Sequence, residues 1–260
     1  MIVGALISVV TAPVGVSGAV FLLPVQLSVF GVPSPAVTPT NLLFNVVAGP
    51  GALWRYRRDG ALRGPLTRRL VLGTVPGVVI GAVIRVFALP SPTVFRLLIA
   101  ALLVPLGLWL CARTLRWSSL RRNTQQAPAP TRTEPSGRTV STLALAVGII
   151  GGVYGIGGGS LLGPILVGRG MPVGRVAPAA LASTFVTSLV GAAAFALLGF
   201  VSPGDVAPDW GLGLACGLGG LVGGYLGARL QPRLPETALR LVLGTLAVAL
   251  GTLYAVQTLR

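Results

Sequence analysis

The sequence predicts an all-α integral membrane protein, with about eight hydrophobic helical segments arranged in two repeated halves. Three observations carry that reading. Of 260 residues 53% are apolar and only 10% charged, with 37 Gly and 21 Pro, which leaves far too little polar surface for a water-soluble domain. The apolar residues fall in long runs such as 1–30, 139–168 and 176–201, each at least as long as the roughly 20 residues that a helix needs to cross hydrocarbon. The second half also repeats the first: Val14–Pro24 (VGVSGAVFLLP) aligns without a gap on Tyr154–Pro164 (YGIGGGSLLGP), pairing Gly15 with Gly155, Gly18 with Gly158, Leu22 with Leu162 and Pro24 with Pro164.

Taken in order, the runs are 1–30, 36–54, 70–88, 94–112, 139–168, 176–200, 210–230 and 237–257. The first begins MIVGALISVV without a basic leader, so it reads as a mature membrane segment rather than a cleaved signal peptide. The first and fifth runs are long but broken by glycine into arms of roughly 10 to 13 residues, each tall enough for about half the hydrocarbon. Such a segment is either a broken spanning helix or a re-entrant hairpin. The third and seventh runs share Gly-x-x-x-Gly-Ala, at Gly77–Ala82 and Gly223–Ala228, a pattern that lets helices pack closely. Each is followed by Leu-Pro and an arginine, Leu89, Pro90 and Arg96 in one half and Leu234, Pro235 and Arg240 in the other. Cys111 and Cys216 lie far apart in apolar runs, with no His in the chain, and read as small packing residues. The polar, Pro-rich stretch Trp117–Arg138 cannot bury a core. It reads as a mobile cytoplasmic linker between a first transmembrane repeat, residues 1–116, and a second, residues 139–260.

All 20 basic residues are arginine, and the formal net charge is +15. Most sit in short clusters between the runs, the pattern of loops held against anionic headgroups, and no basic helix face or aromatic platform accompanies them to suit nucleic acid. If the first and fifth runs both span, 13 arginines fall on one face and 7 on the other. If both re-enter, the second half is inverted relative to the first and the division becomes 17 against 3. The positive-inside rule favours the inverted arrangement.

Polar backbone inside a bilayer is tolerated only where protein or a cavity surrounds it. Seven glycines between Gly151 and Gly163 are too many for a stable helix, at about 1 kcal/mol each relative to alanine. An unwound stretch near mid-membrane is expected at Gly155, Gly157, Gly158 and Gly159. Its N–H groups, together with the start of the next arm at Ser160, form a place where an anion can be held. Ser17 and Gly18 are the first-half counterparts. Polar side chains follow each break within apolar runs: Thr38, Thr40, Asn41 and Asn45 in one half, Ser183, Thr184, Thr187 and Ser188 in the other. Of these, Asn41, Ser183 and Thr184 are the leading candidates for ligand contact. The competing roles are close helix packing for the glycines and bonding back to the helix for the hydroxyls. The five acidic residues, Asp59, Glu134, Asp205, Asp209 and Glu236, fall in loops or at run ends. There is no P-loop, metal constellation or catalytic dyad, so neither a cofactor nor enzymatic chemistry is expected.

The segment GGVYGIGGGSLLGPILV, Gly151–Val167, resembles the TauE/SafE sulfite exporter family (TSUP). So do its weaker copy Val14–Val25, the Ser/Thr segment Ala177–Ser188, and the Gly-x-x-x-Gly-Ala and Leu-Pro endings of both halves. The resemblance implies a multi-pass transporter in a bacterial inner membrane, with a duplicated core, moving sulfite, organosulfonates or related sulfur-containing or carboxylate anions. In the first half the chain departs from that pattern, with Ser17 and Ala19 where the second copy has Gly157 and Gly159. A potential negative inside drives anions outward by about 2.3 kcal/mol per charge per 100 mV, so export or facilitated permeation is expected without a built-in proton relay. Two alternatives differ in class: a membrane-embedded subunit or enzyme acting on a sulfur compound or lipid, and a cation permease using backbone carbonyls.

Overall fold

A computed structural model describes residues 1–62, 64–88, 92–123, 137–169, 171–200 and 207–259. Among these residues there are ten α-helices and no strand. In chain order they are α1 (Ile2–Thr11), α2 (Ala19–Ser28), α3 (Ser34–Arg58), α4 (Pro65–Phe87), α5 (Pro92–Asn123), α6 (Gly137–Tyr154), α7 (Gly159–Gly168), α8 (Val173–Gly199), α9 (Trp210–Leu230) and α10 (Glu236–Leu259). Pro65–Phe87, Val173–Gly199 and Trp210–Arg233 are long and apolar enough to cross a membrane. Ile2–Val14, Ala19–Ser28, Leu103–Leu115 and Thr139–Tyr154 are shorter apolar helical stretches.

The two longest apolar runs are each divided between two helices. After α1 a single 3₁₀ turn, Ala12–Val14, ends at Gly15, whose φ of 76° is left-handed. After α6 the chain turns at Gly155 and Gly157, with φ of 70° and 73°. Glycine reaches that region without the Cβ penalty of other residues, so the helix stops here while the glycines at 151 and 152 remain helical. The stretch expected to be a linker is partly helical, because α5 continues to Asn123 and α6 begins at Gly137. Residues 124–136 of that stretch, the Leu89–Pro90 pair and Asp205 lie outside the described residues.

Glycine faces set the packing. A Cβ placed on Gly77 would sit 2.4 Å from Leu145 O, and one on Gly81 2.2 Å from Ile149 O, so α4 lies against α6 with backbones in contact. On the other side, Gly223 and Gly227 stand in the same relation to Ala5 O (2.2 Å) and Val9 O (2.6 Å), laying α9 against α1. Side-chain volume at these four glycines would push the helices apart, so the close-packing role expected of both motifs is what the structure shows. Neighbours along each contact advance together in number, which makes α4 parallel to α6 and α9 parallel to α1. Likewise α9 is parallel to α3, where Leu43 meets Gly213 and Val47 meets Gly217. Conversely, α3 and α8 are antiparallel, since Gly49 lies on Phe185 and Leu42 on Gly191. The ends of α3 and α9 consequently share one face of the molecule, and Arg55, Arg58, Arg229 and Arg233 come together there.

Candidate functional site

Both helix breaks are buried, each against the early turns of a long helix. A Cβ on Gly155 would lie 2.3 Å from Thr38 O of α3, and one on Gly15 2.5 Å from Ala177 Cα of α8. Gly157 faces Thr184 Cγ2 at 2.7 Å and Ser188 Oγ at 3.1 Å, and Gly159 faces Ala180 O at 1.8 Å, on the same measure. With left-handed φ at Gly155 and Gly157 and backbone contact at Gly155 and Gly159, no larger residue fits these three positions without displacing α3 or α8.

The polar groups around the breaks converge on Asn45. Its Oδ1 accepts a hydrogen bond from the Ser17 hydroxyl, and its Nδ2 donates to Gly155 O at 3.3 Å. One side chain of α3 thus ties the first break to the second. Ser17 Oγ also accepts from the Ala19 N–H at 3.1 Å, inside the first turn of α2. A small cavity of about 30 Å³ lies beside this junction, lined by Ser17, Gly18, Asn45 and Thr184 together with Phe44 and Phe185. It has room for one or two water molecules. Ser160 Oγ stands 3.3 Å from Thr184 Oγ1 and donates to Ile156 O at 2.6 Å.

Ser17, Gly18 and Thr184 are therefore brought to one cavity, with Ser160 and the glycines 157 and 159 directly behind Thr184. Asn41 is next to the cluster, donating through Nδ2 to Ala19 O at 3.1 Å, while its buried Oδ1 has no protein partner. Ser183 points elsewhere: its Oγ is 2.8 Å from Thr74 Oγ1 of α4. The N–H of Gly158, expected to be open to a ligand, donates to Thr187 Oγ1 at 3.1 Å. The Ser17 and Ser160 protons are given to Asn45 Oδ1 and Ile156 O, and the first N–H groups of α2 are bonded to residues 17 and 18, so the donors left toward the cavity are the Thr184 hydroxyl and the second Nδ2–H of Asn45. Such a set suits an anion.

The sequence pattern passes over several buried polar residues, Gln26 and Arg85 among them. Gln26, in the last turn of α2, is 0% exposed, and neither atom of its amide has a protein partner. Arg85, near the end of α4, is 3% exposed, and its Nε donates to Thr38 Oγ1 at 3.2 Å. Thr38 Oγ1 in turn donates to Val153 O at 3.2 Å, in the last turn of α6. Each is a lone polar residue in an apolar run, the same signal that singles out Asn41.

Residues 1–254 match the family described as Sulfite exporter TauE/SafE. No curated protein and no solved structure matches the chain. That family consists of membrane transporters, which sets aside the enzyme alternative. With its apolar helices, buried polar junction and a match over nearly its whole length, the chain belongs to the sulfite exporter TauE/SafE family of membrane transporters.

Proposed function

We propose that the protein carries small sulfur-containing anions, sulfite or organosulfonates, outward across a bacterial inner membrane through the junction centred on Asn45. The observation that carries this reading is the bridge itself: one amide joins Ser17 at the first break to Gly155 at the second. The cavity beside that bridge is lined by hydroxyl, amide and apolar groups, with no carboxylate. Donors of that kind stabilise negative charge without a counter-cation or a proton relay. The contact residues of this reading are Ser17, Gly18, Asn45, Ser160 and Thr184, held in place by Gly155, Gly157, Gly158 and Gly159, with Asn41 at the edge. Ser183 supports Thr74 rather than cargo.

The architecture on this reading is an inverted repeat, residues 1–116 and 139–260, joined through 117–138. Gly15 and Gly155 supporting it press on Ala177 and Thr38, one in each half, and the glycines at 77 and 223 press on residues 145 and 5. Each contact has its partner in the other half. Since α4 descends from the end of α3 while α9 runs parallel to α3, the fourth helix of one half opposes that of the other. The arginine-rich face, with Arg55, Arg58, Arg229 and Arg233 together, is then cytoplasmic by the positive-inside rule. Both breaks are re-entrant turns on this reading.

The test is flux of sulfite, thiosulfate, sulfoacetate and taurine in proteoliposomes under an imposed potential. Positive-inside potential should accelerate anion uptake. Asn45→Ala and Thr184→Val should lower flux of the transported anion by about tenfold or more, and Ser183→Ala should leave it within about twofold, the scale of losing one or two neutral hydrogen bonds. Wild-type flux equal to that of empty liposomes, or flux indifferent to potential, would sink the reading.

A further inference from the structure

Beneath the central cavity, on the arginine-rich face, lies a second and much larger hollow of about 700 Å³. Arg55 and Arg58 from the end of α3, Arg229 from the end of α9 and Arg233 from the 3₁₀ turn that follows it, Gln231–Arg233, line it, with Tyr225 and a single carboxylate, Asp59. Arg55 Nη1 pairs with Asp59 Oδ1 at 3.2 Å, which leaves three guanidinium groups in excess. The Nε of Arg55 is buried and has no protein partner. Four arginines brought together from positions more than 170 residues apart repel one another, and a buried donor without an acceptor adds to that cost. Both are relieved by an acceptor-rich anion, for which guanidinium has matching planar geometry.

The hollow is also next to the central cavity. Ala12 and Ala52 line that cavity, and they form one buried cluster with Tyr56 and Ala228. The neighbouring residues in the chain, Arg55 and Arg229, line the hollow. Tyr56 OH donates to Ala12 O at 3.2 Å and Gln231 Nε2 to Pro13 O at 2.6 Å. The two chain ends that bear the arginines thus grip the last carbonyls before the Gly15 turn, and the layer between hollow and cavity is made of small side chains and that latch.

We propose that this four-arginine hollow is a binding site for a sulfur or phosphorus oxyanion, distinct from the Asn45 junction and separated from it by the Ala12–Tyr56 layer. An anion of that chemistry comes from two sources, free cargo waiting on the cytoplasmic face or the headgroup of an anionic lipid. Cargo as the occupant rests on the transport function proposed above; the oxyanion site does not.

Titration calorimetry on the purified full chain in neutral detergent, with sodium sulfite, sulfate and phosphate as probes, tests the site. Native mass spectrometry with phosphatidylglycerol against phosphatidylcholine tests the lipid arm. The variant is the pair Arg229→Gln with Arg233→Gln, both exposed side chains. Its control is Arg68→Gln with Arg69→Gln, also exposed and outside the hollow. The first pair should weaken binding about tenfold or more, the control pair by less than about twofold, and Asp59→Asn should tighten it. Discrimination seen with the free oxyanions identifies cargo-like binding, and discrimination seen only with phosphatidylglycerol identifies a headgroup; either supports the site. Equal effects of the two pairs, or none from either, would overturn it, since the arginines would then act only as a diffuse surface charge. Proteoliposome flux separates the two readings. Absent wild-type flux with binding intact removes the transport function and leaves the site, whereas normal flux and binding in the Arg229/Arg233 pair removes the site and leaves transport.

Discussion

Arg85 occupies a place that a charged side chain rarely takes within a bilayer. It is 3% exposed, and through Thr38 it reaches the carbonyl of Val153 at the end of α6, where unsatisfied C=O groups give a helix its negative pole. In the other half Gln231 reaches Pro13 O directly, at the end of the α1 arm. A neutral amide does there what a cation does here, so donor geometry matters more than charge. Arg85→Gln is therefore expected to stay within about 1 kcal/mol of wild type, while Arg85→Leu, which removes the donor to Thr38 Oγ1 and leaves Thr38 only its own bond to Val153 O, loses about 1–3 kcal/mol. Thermal unfolding in detergent measures both. Glycine gives a second contrast at this scale. Gly159→Ala places a Cβ 1.8 Å from Ala180 O and is expected to lower stability by about 1–3 kcal/mol. Gly174→Ala, helical and with nothing within 4 Å, is expected to be neutral or to stabilise by up to about 1 kcal/mol.

At the scale of helices, the breaks were legible because two properties coincide in them: runs too long for one crossing arm and glycine too dense for a continuous helix. The identity of the hub was not. Asn45 meets Ser17 and Gly155, 28 and 110 residues away in the chain, and no local pattern separates it from Asn41 four residues earlier. Nor does a sequence show which N–H at a helix start is already occupied; the acceptor for Gly158 is Thr187, 29 residues on. Thr187→Val removes that acceptor, so it should lower the unfolding midpoint by an amount equivalent to about 1–2 kcal/mol. An unchanged midpoint would mean that the α7 start is satisfied in another way. The helical continuation of α5 to Asn123 was hidden by composition. WSSLRRN is polar enough to pass for a linker, yet the helix runs through it. Gln26 and Arg85 were visible as single polar letters but lacked a matched cluster in the other half to draw notice to them.

The whole molecule makes its own prediction, about sidedness. In a cysteine-free background, Arg57→Cys and Arg233→Cys should react with an impermeant thiol reagent from the same side of the membrane, and Phe200→Cys, at a position 88% exposed at the end of α8, from the opposite side. Labelling of positions 57 and 233 from opposite sides would exclude the inverted arrangement. The match to one transporter family over residues 1–254 follows a resemblance that glycine and proline positions already carried, because those residues report backbone geometry. With α4 lying along α6 and α9 along α1, neither half contains the partner against which its own glycine face closes. A chain ending at residue 116 would expose Gly77 and Gly81 to lipid and find no surface to fill them. Two separate polypeptides, 1–116 and 139–260, made in the same cell, should nevertheless find each other and assemble. On the inverted arrangement proposed above, a half-length ancestor would have worked only as a pair of identical chains inserted in opposite orientations, a pairing that fusion of one copy of each orientation would have made permanent.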